Sequence, residues 1–163
     1  MRVPLAFESD ILGIPTARLD LGDATGHADA LNSALQREVA SFQDDGLMLV
    51  SCRIPSTSPA TGVLEANGFR QIEELVQLRQ DLPSEHRTPD VVRFAETRDR
   101  DVCVSLSSAA FSFDRFHADP LIANKGADDL KARWVANAFD GRADKIFVAD
   151  QGGGADGFLL CMR

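Results

Sequence analysis

The chain has 163 residues, a hydrophobic content of 44% and a formal net charge of −8; this suits one ordinary domain or two small ones around a globular core and excludes a disordered chain. The acidic balance argues against an electrostatic grip on nucleic acid or anionic lipid. Acidic residues in MRVPLAFESDILGIP interrupt the apolar stretch a signal peptide needs, and no later run approaches a membrane span, so a cytoplasmic protein is expected.

In chain order, PLAFESDILGIPTARLDL reads as a strand, a turn at Gly13 and Pro15, and a second strand over 17–21. HADALNSALQREVASFQDDG places Leu31, Leu35, Val39 and Phe42 on one helical face, with His27 at the helix start and Gly46 as the stop. GLMLVSCRI is a short buried strand. SPATGVLEANGF then offers Ser58 as N-cap, Pro59 in the first turn and Gly68 as C-cap of a second helix. RQIEELVQLRQDL alternates Ile72, Leu75 or Val76, and Leu78, the pattern of a further strand. PSEHRTPD, at 83–90, has two prolines, mixed charges and no aliphatic residue, and marks a linker that includes His86. The expected division is a small N-terminal α/β domain over 1–84 and a second domain over 90–163.

In the second domain VVRFAE is a strand, and TRDRDVCVSLSSAAF is a helix with Val102, Leu106, Ala109 and Ala110 on one face and Thr97 or Asp99 as cap. SFDRFHADPLIANKG is an irregular connection. ADDLKARWVANAFDGRA is a helix carrying Leu130, Trp134, Val135 and Ala138, closed by Gly141. KIFVADQGGGADGFLLCMR gives two apolar strands, 145–149 and 157–162, around a glycine-rich hairpin turn. The fold class is thus α/β in the broad sense, or α+β.

Chemistry-bearing motifs are sparse. Cys52, Cys103 and Cys161 have neither CxxC spacing nor nearby histidines, so they read as reduced, buried small hydrophobes, and no metal site is expected. Gly152, Gly154 and Gly157 fit GxGxxG, but no helix follows to present its N-terminus to a pyrophosphate, and Asp156 would repel one. No GxSxG or HExxH occurs. His117 differs from the other histidines in lying within FDRFHAD, where Phe113, Asp114, Arg115, Phe116 and Asp119 crowd one connection. Aromatics and charges together on a loop suit a binding site, with Phe113, Arg115, Phe116 and His117 as its candidate residues. The competing reading has Phe113 and Phe116 plugging the core, with Arg115 paired to Asp114 or Asp119.

From Val91 onward the order strand, helix, loop, helix, strand, hairpin, strand resembles the opening half of the GNAT superfamily of N-acetyltransferases. VVRFAETRDRDVCVSLSSAAF is similar to that family's first strand and helix. RFHADP, ARWVANAFDGRADKIFVAD and GFLLCMR are similar to its sugar-nucleotide branch, typified by dTDP-fucosamine acetyltransferases. FESDILGIPTARLDL and VLEANGFRQIEELVQLRQDL resemble the N-terminal part of the same branch, so the likeness covers nearly the whole chain.

The resemblance implies an acyl-CoA N-acyltransferase-like mixed sheet, acetyl-CoA as co-substrate and a small-molecule amine, foremost a sugar-nucleotide amine, as acceptor. In an acetyltransferase the position of the FSFDRFHAD loop would have it line the acceptor pocket, with Phe113 and Phe116 stacking on sugar or base, Arg115 contacting phosphate or carboxylate, and His117 hydrogen-bonding. The family's acetyl-CoA loop and its late catalytic tyrosine follow the point where this sequence stops, and the chain contains no tyrosine; no catalytic residue is therefore assigned. Two readings stand: the N-terminal portion of an N-acetyltransferase, or an inactive binding module, dimeric through the edge of its last strand.

Overall fold

The computed structural model describes residues 1–22, 28–81 and 89–162. Within it the chain divides at Glu74/Leu75 into two units, Met1–Glu74 and Leu75–Arg163. Each combines helices with one three-stranded sheet, so the fold is mixed α/β. Among the described residues no helix is long and apolar enough to cross a membrane. His27, His86 and most of the 83–90 linker lie outside the described residues.

The first unit runs β1 (Arg2–Pro4), α1 (Ala6–Leu12), β2 (Thr16–Leu19), α2 (Ala28–Asp44), β3 (Leu49–Cys52) and α3 (Ala60–Ala66). The expected opening strand is cut short by α1. Ser9 Oγ donates to the Leu5 carbonyl at 2.8 Å and accepts the Thr16 N–H at 2.9 Å, folding the turn back on itself. β1 pairs antiparallel with β2, and β2 parallel with β3 through the α2 crossover. Leu19, Leu35 and Leu64 form the core, with Val39, Val50 and Phe69 packed around them. The α2 stripe follows the sequence pattern, Leu35 and Phe42 being buried. The N-cap of α3 is Pro59 rather than the expected Ser58, whose Oγ instead accepts the Ala60 N–H at 3.2 Å from one residue upstream.

Beyond α3 the structure departs from expectation, because residues 70–81 form no strand. Leu75, Val76 and Leu78 are exposed there. Alternation of apolar and polar residues specifies a strand only where a neighbouring strand and a core accept it.

The second unit contains β4 (Val92–Phe94), a 3-10 turn (Thr97–Asp99), α4 (Arg100–Ala110), α5 (Arg115–Ala118), α6 (Asn124–Asn137), β5 (Lys145–Asp150) and β6 (Ala155–Cys161). The sheet order is β4-β5-β6, antiparallel throughout, with Phe94 opposite Phe147 and Phe147 opposite Leu159. Cys103 of α4, Val135 of α6, Val148 of β5 and Ala155 of β6 make the core. The buried stripe of α4 is Cys103 and Ser107, not the expected Val102, Leu106, Ala109 and Ala110 face; Val102 is exposed. Ser107 tolerates burial because its hydroxyl donates to the Val104 carbonyl at 2.7 Å. The chain leaves α6 through a wide turn, Ala138–Arg142, in which Gly141 adopts φ of 104°, a conformation costly for any residue with a Cβ.

Candidate functional site

The connection between α4 and α6, expected to be irregular, holds the one-turn helix α5, and Asp114 organises it. From an extended backbone, Asp114 Oδ1 accepts the Phe116 N–H at 2.8 Å as N-cap. Its Oδ2 receives Lys131 Nζ of α6 at 2.9 Å and lies 3.0 Å from His117 Nδ1. The other ring nitrogen, Nε2, lies 3.0 Å from Asp128 Oδ1, also on α6. Both imidazole nitrogens thus face carboxylate oxygens, and only the doubly protonated ring donates to both. The Asp128 hydrogen bond is the main cause raising the His117 pKa; burial opposes it and Asp114 adds to it. Burial pushes the Asp114 carboxyl up, but hydrogen bonds from Lys131, the Phe116 N–H and His117 together hold it below its ordinary value.

Aromatic rings close over this charged layer. Phe116 is 4% exposed and meets the Trp134 ring edge-on at 5.6 Å. Lys131 Nζ lies 4.8 Å from the Trp134 ring centre and 5.8 Å from that of Phe111, within cation–π range of both. Beside them opens a recess of about 150 Å³ bordered by Ser107, Phe111, Lys131, Trp134, Phe158 and Leu160, so that α4, α6 and β6 all contribute to its walls.

Of the four candidates named from the sequence, α5 brings together Arg115, Phe116 and His117. The Arg115 guanidinium stacks 4.4 Å over Phe116, and His117 has a side chain 8% exposed. None of the three borders the recess itself; Phe116 backs it through its contact with Trp134. Phe113 stands apart, 97% exposed and outside the recess wall. Sequence reasoning passed over Asp128 and Lys131 and placed Trp134 in the core. Their spacing of three along α6 is the signal that would have found them, since it stacks the three on one helical face.

A second cluster sits at the glycine-rich hairpin. Asp150 Oδ1 accepts the Gly152 N–H at 2.8 Å and the Gly154 N–H at 3.2 Å. Its Oδ2 receives Arg93 Nη2 at 2.7 Å, and Arg93 also grips Asp99 through two hydrogen bonds of 2.7 and 2.9 Å. Asp99 Oδ2 in turn accepts the Glu96 N–H at 2.7 Å. The Asp99 carboxyl is lowered to about 2, chiefly by Arg93 and then by the Glu96 N–H. Arg93, Arg98, Asp99 and Asp150 border a shallow cavity of about 390 Å³. A pyrophosphate finds no cradle in it: Asp150 already occupies two of the turn's N–H groups, and two carboxylates neutralise Arg93. Among the described residues no His, Cys, Asp or Glu cluster gathers as metal ligands.

No protein-family model matches the chain, and no curated protein matches it.

Proposed function

We propose that the second unit supplies the acceptor side of an N-acetyltransferase acting on a small amine, foremost an amino sugar carried on a nucleotide. The observation that carries this reading is the aromatic recess with Lys131 in its wall. A volume of about 150 Å³ is that of a single six-membered ring. Trp134 and Phe111 offer flat faces to the C–H side of such a ring. The Lys131 ammonium, one of whose donors is taken by Asp114, has further N–H groups to offer a hydroxyl or phosphate oxygen of an acceptor. The element order of the second unit is a second support: strand, helix, helix, strand, hairpin, strand, as the GNAT resemblance has it, with the one-turn α5 inside the connection expected to be a loop. The described residues do not fit the pyrophosphate of acetyl-CoA, and no step is assigned to them there.

Two measurements test the reading on the full chain: release of free thiol from acetyl-CoA in the presence of sugar-nucleotide amines, and quenching of Trp134, the only tryptophan. Expected are saturable quenching by an acceptor and weakening of that binding by about tenfold or more in Lys131→Met, the worth of one charge-assisted contact. If no amine perturbs Trp134 and none is acetylated, the reading fails.

A second reading, a dimeric binding module, is favoured by the far face of the same sheet. Phe94, Phe147 and Leu159 form a row across β4, β5 and β6, facing away from Val148 and the core. Phe94 is 59% and Leu159 61% exposed. β6 is an edge strand, and antiparallel pairing with β6 of a second copy about a two-fold axis at Leu159 would make the row continuous. Sedimentation decides: dimers that Leu159→Lys converts to monomers support it, and monomers at high concentration refute it.

A further inference from the structure

His117 is placed unlike an ordinary surface histidine. Its Nδ1 contact to Asp114 stays within α5 and its cap, whereas its Nε2 contact to Asp128 crosses from α5 to α6. A neutral imidazole carries one N–H, so either tautomer sets a ring lone pair against a carboxylate oxygen at 3.0 Å. The proton shared out by this ring is therefore a fastener between two helices.

We propose that His117 is a pH-sensitive latch behind the recess: the doubly donating imidazolium adds a second tie between α5 and α6 beside the Asp114–Lys131 pair and steadies Phe116 against Trp134, and loss of one ring proton loosens that support.

The surrounding charges decide which contact breaks. Asp114 is anchored independently by Lys131 and by the Phe116 N–H, so it keeps its place on deprotonation. Asp128 is 42% exposed, and the other charges nearest it on α6 are Lys125 and Asp129, which pair with each other at 2.5 Å. Arg115, on α5 itself, stacks on Phe116. The Asp128 contact is thus the one free to open. Because the folded environment raises the histidine's pKa, the clamp is complete below the ordinary value of 6.5 and is lost as pH climbs through the raised one. Phe116 rides on α5 with its ring against Trp134, so the support behind that wall residue follows the latch.

Functional meaning comes from the acceptor reading above, on which it rests, whereas the test needs no acceptor, so the two fail separately. Trp134 emission of the full chain is titrated from about pH 5.5 to 8.5, with the His117 ring protons followed in parallel by NMR. The expected result is a single emission transition coincident with the His117 titration and centred above 6.5. Asp128→Asn, at a position close to solvent, moves that midpoint to lower pH, and His117→Asn abolishes the transition. Emission that stays flat while His117 titrates overturns the latch, as does a transition that survives in His117→Asn or a midpoint unmoved in Asp128→Asn. Should His117→Asn fail to fold, the Asp128→Asn midpoint carries the decision alone.

Discussion

Replacing Asp99 by asparagine keeps the shape of the side chain and removes the charge that Arg93 and the Glu96 N–H address. Asp99 is 5% exposed, while Arg93 is 28% exposed and retains Asp150, so the loss falls on Asp99's own contacts. A carboxyl held at about 2 instead of its ordinary 3.8 corresponds to roughly 2.5 kcal/mol of native-state preference. Solvent near Arg93 trims this to about 1–2 kcal/mol. Turning one face of the amide toward donors adds a further fraction, giving about 2 kcal/mol at neutral pH. Urea unfolding followed by Trp134 emission reads the second unit, which contains the chain's one tryptophan. The folded pKa is depressed, so the contribution is fully present above 3.8 and vanishes as pH falls through 3.8 toward 2. Wild type and Asp99→Asn should therefore differ by about 2 kcal/mol at pH 7 and converge to within ~1 kcal/mol near pH 2.5. Asp114 titrates in both proteins and cancels from the difference. Equal stability at pH 7, or a gap that does not narrow in acid, would refute the reasoning.

The two phenylalanines of the α5 region separate by burial: Phe116→Ala should cost about 3–4 kcal/mol and shift Trp134 emission, whereas Phe113→Ala, at a position 97% exposed, should stay within ~0.5 kcal/mol of wild type by the same urea assay. Asp150→Ala should speed amide hydrogen exchange at Gly152 and Gly154, which lose their acceptor, and leave the paired N–H groups at the centre of β5 unchanged; equal protection in the variant would show that Asp150 does not hold the turn.

Periodicity reads well where an element is long enough to repeat. The seventeen residues of α2 carry the Leu35 and Phe42 stripe at helical spacing, and Ser58 and Gly68 flank α3 one residue outside its caps, Pro59 and Asn67, marking its ends to within a residue. α1 and α5 escape because seven and four residues hold too little repeat to distinguish helix from loop. What signals α5 is the Asp114 cap, and aspartate is just as much at home in polar turns that start no helix. The phase of α4 is misread because Cys103 and Ser107, the residues that face the core, are small and weakly apolar beside Val102 and Leu106. At the site, Arg115, Phe116 and His117 stand out as a crowded loop. Asp128 and Lys131 do not, since charges on a helix ordinarily face water; their spacing of three with Trp134 marks a shared face, and the fold adds that Asp114 and His117 draw that face toward α5.

The glycine-rich turn between β5 and β6 is a nest whose guest is tethered to it. Gly152 and Gly154 take φ of 98° and 115°, aiming their N–H groups at one point, the geometry with which such turns capture phosphate. Here the captured anion is the carboxylate of Asp150, the last residue of β5, held below its ordinary pKa by Arg93 and then by the two glycine N–H groups. A tethered ligand acts at an effective concentration of roughly millimolar or more, so a free phosphate competes with an anion that never diffuses away. The anion position of this turn is thus filled by the chain's own carboxylate, and the same side chain that occupies the nest also holds its shape.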